Sequence, residues 1–485
     1  MEPRRKPRME AAKRRQRPDA GGPESRRGRT NVAVAAVAVI AVVALAACGS
    51  GAKSTTATTV QATPTTSVTS LDKTLGNGVT ASEIKVGVAL VNFGPIEQFT
   101  DTIRTEAEQQ QIYNIFINNI NANGGINGRK IVPFYKFYTP LGTSQILPLC
   151  TSFTQDDNVF AVVGTFIDFS GDAQTCIAHQ ENRVLMTFNL TQAIINQSPP
   201  GLIVTAGDIP ERSGSILIQL LKNKGLLAGK TFAVLGDTTE SSDVNGYIVP
   251  ALKKASVPMG STAILDVGTT GDTTAGQAQL DSFIEKWKTQ HVNAMILSGD
   301  LASTKQFVVK VKQAFPNMAL YADTQDVLDQ AQQVQKSGPL PNPYDGIITA
   351  GGLSPQEYTD SANWKYCSAI YQKATGQIPE NAMQIKKTAD GKIDDTYGTI
   401  NDACQTMTMF HDIAERVGPY LNNTNWVYTV DHFGPIANRG SGPYSSLHTG
   451  KYSADDNWRL EQYVPTLGPE GNWNPITPLE DITGS

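Results

Sequence analysis

The chain has 485 residues, 40 of them basic and 45 acidic, for a net charge of −5. Subtracting the 11 basic and 4 acidic residues of positions 1–30 leaves 29 and 41, a net charge of −12. An acidic body lacks the positive surface that binds phosphate backbones, so nucleic acid is excluded as a partner.

The first 48 residues resemble an export signal in three parts. Residues 1–30 are basic, and Val32 to Ala47 contains no polar side chain. This apolar stretch is short for a membrane span, which needs about 20 residues, but suits a signal peptide. It ends in Leu45-Ala46-Ala47-Cys48, a lipoprotein cleavage box, which predicts lipidation at Cys48 and a signal peptide over 1–47. An uncleaved anchor helix with a chance cysteine is the alternative.

Four further cysteines remain, Cys150, Cys176, Cys367 and Cys404. An even number in an exported protein favours disulfides, and four cysteines allow three connectivities. We expect the sequence-local pairing, 150 with 176 and 367 with 404. The alternative is four buried thiols. The sequence has no paired Cys-x-x-Cys or His-rich cluster, so we expect no metal site and no cofactor.

The exported part divides into a tether and a body. Residues 49–72 are rich in Ser and Thr with few large apolar side chains, so positions 48–79 are predicted to be a disordered tether. The body of about 400 residues exceeds one compact core and predicts two domains.

Apolar strands alternate with helices along the body. A helix is expected over 101–122, because Ile112, Ile115, Phe116 and Ile120 recur at helical spacing. Further helices are expected at 211–224, 245–255, 277–289 and 302–314. The predicted strands begin at Glu83, Lys130, Val159, Val184, Thr231, Ala294, Ala319 and Gly346. This alternation predicts α/β domains with parallel sheets covered by helices on both faces.

Two segments carry a family resemblance. Ser82-Glu83-Ile84-Lys85-Val86-Gly87 and Asn118–Ile131 (NNINANGGINGRKI), with Gly94-Pro95 between them, resemble the leucine/isoleucine/valine-type solute-binding proteins of ABC importers. The resemblance continues through Phe160–Gly164 and, more weakly, to about residue 415.

The resemblance implies a type I periplasmic-binding-protein fold, in which two Rossmann-like lobes are joined by three hinge crossovers. Lobe 1 would comprise 80–206 and 350–430, and lobe 2 would comprise 207–349 and 431–485. The crossovers would lie near 205–209, 345–351 and 430–455.

The same resemblance assigns ligand-binding residues to loops that follow the strands. Phe99 would cap the ligand. The loop at 164–170 would bind its carboxylate, the next loop would add hydroxyl or amide groups, and an acid in lobe 2 would bind its ammonium. The candidates are Phe99, Phe166, Asp168, Ser170, Asn189, Thr191, Ser241, Asp300 and Asp323.

Asp168 stands where the family has a serine. A carboxylate beside a substrate carboxylate is repulsive, so an inward Asp168 would favour an amide, an amine or a neutral polar ligand. The alternative is that Asp168 caps the helix that follows. Thr191 has the same two interpretations.

No hydrolase or nucleotide-binding motif is present, so we expect no enzyme activity. The leading hypothesis is a monomeric, lipid-anchored, extracytoplasmic solute-binding subunit that delivers a small polar solute to an ABC permease after hinge closure. A ligand-sensing or scaffold lipoprotein with the same fold comes second, and a hydrolase third.

Overall fold

The computed structural model describes residues 71–99, 102–140, 143–164, 172–188, 190–238, 240–266, 274–299, 302–337, 341–381, 383–384, 386–387, 392–394, 396–437 and 442–482. The predicted signal peptide, Cys48 and most of the predicted tether lie outside these residues. Within them, no helix is both long and apolar enough to cross a membrane.

The first lobe is built on a five-stranded, all-parallel sheet. Its central strands are buried on both faces, as expected where helices cover both sides. The strand order is β3-β1-β4-β5-β6, and the strands are β1 (Glu83–Val91), β3 (Lys130–Tyr138), β4 (Ala161–Gly164), β5 (Val184–Met186) and β6 (Ile203–Val204).

The helices of the first lobe come from both halves of the chain. They pack around one core that includes Phe160 and Trp426, whose rings meet edge to face at 6.0 Å. The helices are α1 (Glu106–Ala122), α2 (Thr143–Thr151), α3 (Asp172–Thr175), α4 (Gln192–Asn196), α11 (Pro355–Asp360), α12 (Ala362–Thr375), α13 (Thr396–Val417) and α14 (Asn423–Asp431).

The second lobe contains an eight-stranded mixed sheet. The path runs β17-β16-β11-β10-β9-β7-β8; β16 and β17 are antiparallel to their neighbours, and β18 pairs with β16. Its strands are β7 (Phe232–Asp237), β8 (Ala263–Leu265), β9 (Ala294–Leu297), β10 (Ala319–Ala322), β11 (Ile348–Gly351), β16 (Asn457–Val464), β17 (Asn472–Pro475) and β18 (Glu480–Asp481).

Two hydrophobic clusters cover the two faces of this sheet. In β7, Phe232 and Val234 belong to one cluster, whereas Ala233 and Leu235 belong to the other. This alternation follows from the two-residue period of a strand. The covering helices are α5 (Pro210–Asn223), α6 (Ser241–Asp243), α7 (Val249–Lys254), α8 (Thr274–Thr289), α9 (Lys305–Ala314) and α10 (Val327–Ser337), with a π-helical turn, Val244–Ile248, between α6 and α7.

Two small sheets complete the described fold. One joins β2 (Thr102–Ile103), β12 (Lys386–Lys387) and β13 (Ile393–Asp394), and the other joins β14 (Gly434–Pro435) and β15 (Ser446–Leu447).

The predicted α/β fold with two parallel-stranded cores is confirmed, and most predicted strands agree with the structure to within a few residues. The predicted helix over 101–122 begins later, at Glu106. Thr105 and Glu108 form a capping box, in which each side chain accepts a hydrogen bond from the other residue's backbone N–H. That pair fixes the helix start.

Both expected disulfides are present, and each ties together two parts of the first lobe. Cys150 in α2 bonds to Cys176, just after α3, and Cys367 in α12 bonds to Cys404 in α13. The alternative of four buried thiols is therefore wrong.

Two boundaries of the expected domains need adjustment. Leu71 and Asp72 donate backbone hydrogen bonds to the side chain of Asn425, so we propose that the tether ends at about residue 70. Residues 433–454 supply five side chains to the first lobe's core, so we propose that lobe 2 resumes at Asn457.

Candidate functional site

The carboxyl edges of the two parallel sheets face the junction between the lobes. β6 of the first sheet leads directly into α5 of the second lobe, and β11 of the second sheet leads directly into α11 of the first. The third connection is the segment before β16. In open α/β sheets, ligands bind beyond the carboxyl ends of the strands, so the candidate site lies at this junction.

Two of the connections run side by side. Thr205 donates its N–H to the carbonyl of Tyr452 at 2.9 Å and accepts from the N–H of Ala454 at 2.9 Å. Two adjacent backbone segments that bond in this way form a short hinge ribbon between the lobes.

A buried group of four charges flanks this ribbon, and we call Asp208, Arg212, Lys451 and Asp456 the hinge cluster. Arg212 lies 3.6 Å from Asp208 and 3.7 Å from Asp456, and Lys451 Nζ lies 3.0 Å from Asp456 Oδ1. Asp456 is fully buried and also accepts from the hydroxyl of Ser446 at 2.6 Å. Each acid in the cluster therefore contacts a cation.

Burial shifts the pKa values of Asp208 and Lys451 towards their neutral forms. It raises the pKa of Asp208 to about 7, although the charge of Arg212 opposes the shift. It lowers the pKa of Lys451 to about 8, although Asp456 opposes that shift. The cost of desolvation exceeds the attraction in both cases.

A second buried ion group lies at the crossover from β11 to α11. Arg459 of β16 lies 2.8 Å from Glu357 and 2.9 Å from Glu461. Burial opposes the ionisation of Glu357, but the hydrogen bonds from Arg459 and Ser354 outweigh it, so the pKa of Glu357 is lowered. This group joins the start of a first-lobe helix to a second-lobe strand.

Asp323 directly follows β10 and is buried, with 7% of its surface exposed. Its Oδ2 accepts from the hydroxyl of Ser298 at 2.6 Å, and its Oδ1 accepts from the N–H of Gly299 at 3.3 Å. Burial raises the pKa of Asp323 to about 7; the two hydrogen bonds oppose this, and the charge of Asp243 adds to it. The described groups with the largest effects on this pKa include no Lys or Arg.

Two further acids accompany Asp323, and we call Glu211, Asp243 and Asp323 the carboxylate cluster. Burial raises the pKa of Glu211, and the charge of Asp243 raises it further. Burial likewise raises the pKa of Asp243. The N-terminal half of α5 approaches Asp323 closely, since a Cβ on Gly214 would lie 3.7 Å from Cβ of Asp323.

Glu211 also contacts the first lobe. Its Oε1 accepts from the backbone N–H of Gln192, the first residue of α4, at 2.9 Å. Its Oε2 is buried and has no hydrogen-bond partner among the described residues. The carboxylate cluster therefore lies where the two lobes meet.

The structure describes four of the nine predicted site residues. Phe99 ends a 3-10 helix, Gly94–Phe99, that follows β1. Thr191 is exposed and caps α4 through the N–H of Ile194 at 3.2 Å, and Ser241 begins α6 and accepts from the side chain of Asn245. The other candidates, apart from Asp323, lie outside the described residues: Phe166, Asp168, Ser170, Asn189 and Asp300.

The candidates predicted from the sequence include neither Glu211 nor Asp243. A signal for Glu211 existed, because Pro210-Glu211 follows the first crossover directly and an acid in the first turn favours a helix. Among the described residues, no group of three His, Cys, Asp or Glu side chains could hold a metal ion.

Comparison of the sequence with protein-family models and with curated proteins gives no match. Solved structures do match. An ABC transporter substrate-binding protein from Desulfitobacterium hafniense in complex with Leu is 14% identical, with 81% of this chain and 100% of that chain covered and a TM-score of 0.50. A putative branched-chain amino acid ABC transporter protein from Rhodospirillum rubrum is 14% identical, with 82% and 100% covered and a TM-score of 0.52. The chain has the fold of these substrate-binding proteins.

Proposed function

We propose that this protein is the extracytoplasmic solute-binding lipoprotein of an ABC importer. The main support for this proposal is the arrangement of the two sheets, each with a core of parallel strands, whose carboxyl edges lie towards the three connections between the lobes. The buried Asp323 directly follows β10 at that edge of the second sheet. The likeness to substrate-binding proteins from two organisms supports the same function.

The mechanism that we propose is hinge closure. A solute that contacts both lobes favours the closed form by the difference between its contacts in the closed and open states. Glu211 is placed to take part, because its carboxylate already joins the start of α5 to the first lobe. The closed form would then dock on a membrane permease.

We further propose that Cys48 carries the lipid that anchors the protein at the outer face of the cell membrane, and that the protein is monomeric. The basic and apolar segments before Leu45-Ala46-Ala47-Cys48 support the anchor. We expect mass spectrometry of the membrane-bound protein to show that its first residue is Cys48 and that this residue carries acyl chains. A membrane-bound protein that retains residues 32–47 would favour an uncleaved anchor helix.

A solute screen tests the function. We expect the full-length protein, purified in detergent, to gain thermal stability with one class of amino acid, amide, amine, urea or sugar. A ligand present at 100 times its Kd stabilises a protein by about 2.7 kcal/mol, which a melting experiment detects. Small-angle scattering should show compaction with the same ligand. A protein that responds to none of these solutes would favour the sensor or scaffold hypothesis.

A further inference from the structure

The carboxylate cluster has an excess of negative charge that the described protein groups leave uncompensated. The donors to Asp323 are a hydroxyl and a backbone N–H, and the principal neighbouring charge is the acid Asp243. A buried carboxylate without a cationic partner is costly, so proteins normally pair or neutralise it.

Glu211 gives independent evidence that a ligand belongs here. Only 8% of its surface is exposed, and its buried Oε2 has no hydrogen-bond partner among the described residues, although Oε1 is bonded to Gln192. Glu211 lies one helical turn before Gly214, at which a Cβ would lie 3.7 Å from Cβ of Asp323, so both residues belong to the part of α5 that approaches Asp323. Buried polar atoms are normally satisfied, so this oxygen is an acceptor awaiting a donor.

Arg212, which follows Glu211 in the chain, is already engaged at the hinge. Arg212 contacts Asp208, Asp456 and the hydroxyl of Ser453, all of which lie at the hinge. It is not among the principal charges that act on Glu211, Asp243 or Asp323.

The sequence of the segments around the junction also has more acidic than basic residues. The described segments 92–99, 240–243, 302–304 and 323–326, which follow strands, contain no Lys, Arg or His, and all of them except 302–304 contain an acid. A solute carboxylate in such surroundings would meet repulsion and no cationic partner.

We infer that the solute of this protein is a compact organic cation, an amine or guanidinium compound without a carboxylate, bound by Glu211 and Asp323 with Asp243 as a neighbouring charge. This rests on the proposed solute-binding function and names the class of its substrate. The N–H groups of such a cation supply the donor that Glu211 Oε2 lacks and the positive charge that Asp323 lacks.

Calorimetry with four probes tests the inference on the full-length protein in detergent. The probes are putrescine and agmatine as cations, leucine as a zwitterion and propionamide as a neutral amide. We expect binding of a cationic probe, and Asp323→Asn and Glu211→Gln should each weaken it by about tenfold or more, because hydrogen bonds between charged groups are lost. Both substitutions keep an acceptor for the backbone N–H that the acid binds.

Asp281→Asn is the matched control. Asp281 is an exposed acid of α8 that pairs with Lys310, so its substitution should leave the affinity unchanged. An equal loss in this variant would assign the effect to net charge and overturn the role of the carboxylate cluster.

The pH dependence adds a readout that a structural role would not give. The cation needs the ionised carboxylate, so its affinity should rise as the pH increases through about 7, the pKa of Asp323. An alkylamine stays charged between about pH 5.5 and 8.5, so it contributes no change of its own. Asp323→Asn should flatten this profile.

The outcomes separate the two proposals. Binding of leucine or propionamide without binding of either cation would overturn the inference and leave the solute-binding function standing. Failure of all the probes would overturn the inference, and a protein that also responds to no solute of the thermal screen would overturn the solute-binding function.

Discussion

The hinge cluster and the carboxylate cluster use adjacent residues of α5, Arg212 and Glu211, and differ in one respect. In the hinge cluster, Asp208 and Asp456 contact Arg212, and Asp456 also contacts Lys451. In the carboxylate cluster, Asp323 contacts a hydroxyl and a backbone N–H. Burial nevertheless raises the pKa of Asp208 and of Asp323 to about 7.

This difference is the one expected between a group with a structural role and the ligand-binding group that we propose. The hinge cluster supplies its own countercharges, so it can fix the geometry of the connection between the lobes without a ligand. The carboxylate cluster supplies acceptors and negative charge, and its cost is relieved when a ligand brings the donors. A buried acid with a raised pKa therefore identifies a binding site only when its neighbours are considered.

The largest effect is expected from Asp456→Ala in the hinge cluster. The substitution leaves Arg212 and Lys451 buried without their shared partner, and breaking a buried ion pair in this way costs about 3–5 kcal/mol. Urea unfolding followed by circular dichroism measures the loss. Asp281→Ala, which removes an exposed partner of Lys310, should cost at most about 1 kcal/mol. Equal costs would show that the hinge cluster is not structural.

Asp323→Asn should instead increase the free energy of unfolding at neutral and higher pH. Asp323 has its pKa raised from 3.8 to about 7, so the folded protein holds a proton that the unfolded chain releases across this range. The wild type therefore loses stability as the pH rises from about 4 to about 7, by at most about 4 kcal/mol. Asn does not titrate, and its amide retains a carbonyl acceptor for Gly299 and an NH₂ group for Ser298.

We therefore expect the Asn variant to unfold at a higher temperature than the wild type at pH 8 and at a similar temperature at about pH 4, where Asp323 is protonated in the folded protein and only begins to ionise in the unfolded chain. Scanning calorimetry at both values measures the difference. A variant that is less stable than the wild type at pH 8 would assign Asp323 a stabilising, structural role and remove the contrast with the hinge.

The repeating strand and helix pattern was predictable because it depends on local periodicity. Strands such as β3 and β9 begin at the predicted residues, and Asp323 was a candidate because the family resemblance implies an acid in the second lobe, in a loop that follows a buried strand. Glu211 could not be identified, because its importance comes from a contact with Gln192 in the other lobe. Periodicity within one segment contains no information on which segments meet.

The same limit applies to charge. The sequence places Glu211 and Arg212 next to each other, as though they formed a neutral pair. In the structure, Arg212 contacts the hinge and Glu211 contacts the first lobe. Helical geometry separates the directions of adjacent side chains, so neighbours in sequence can belong to different electrostatic groups.

The smallest change in stability is expected from Asp243→Asn, which tests whether the two clusters are electrostatically separate. Asp243 is half-buried, and its charge is a secondary cause of the raised pKa of Asp323, after burial. Removal of this charge should lower the pKa of Asp323 below about 7 and change the stability by less than about 0.5 kcal/mol. Titration of the Asp323 carboxyl carbon by NMR measures the shift.

Asp208 provides the internal control for that titration. Its principal charged neighbours are Arg212 and Asp455, so its pKa should not respond to Asp243→Asn. Equal shifts at Asp208 and Asp323 would mean that both acids sense the overall charge of the protein. A shift confined to Asp323 would show that the two clusters are electrostatically separate, as a fixed hinge beside a ligand-responsive site requires.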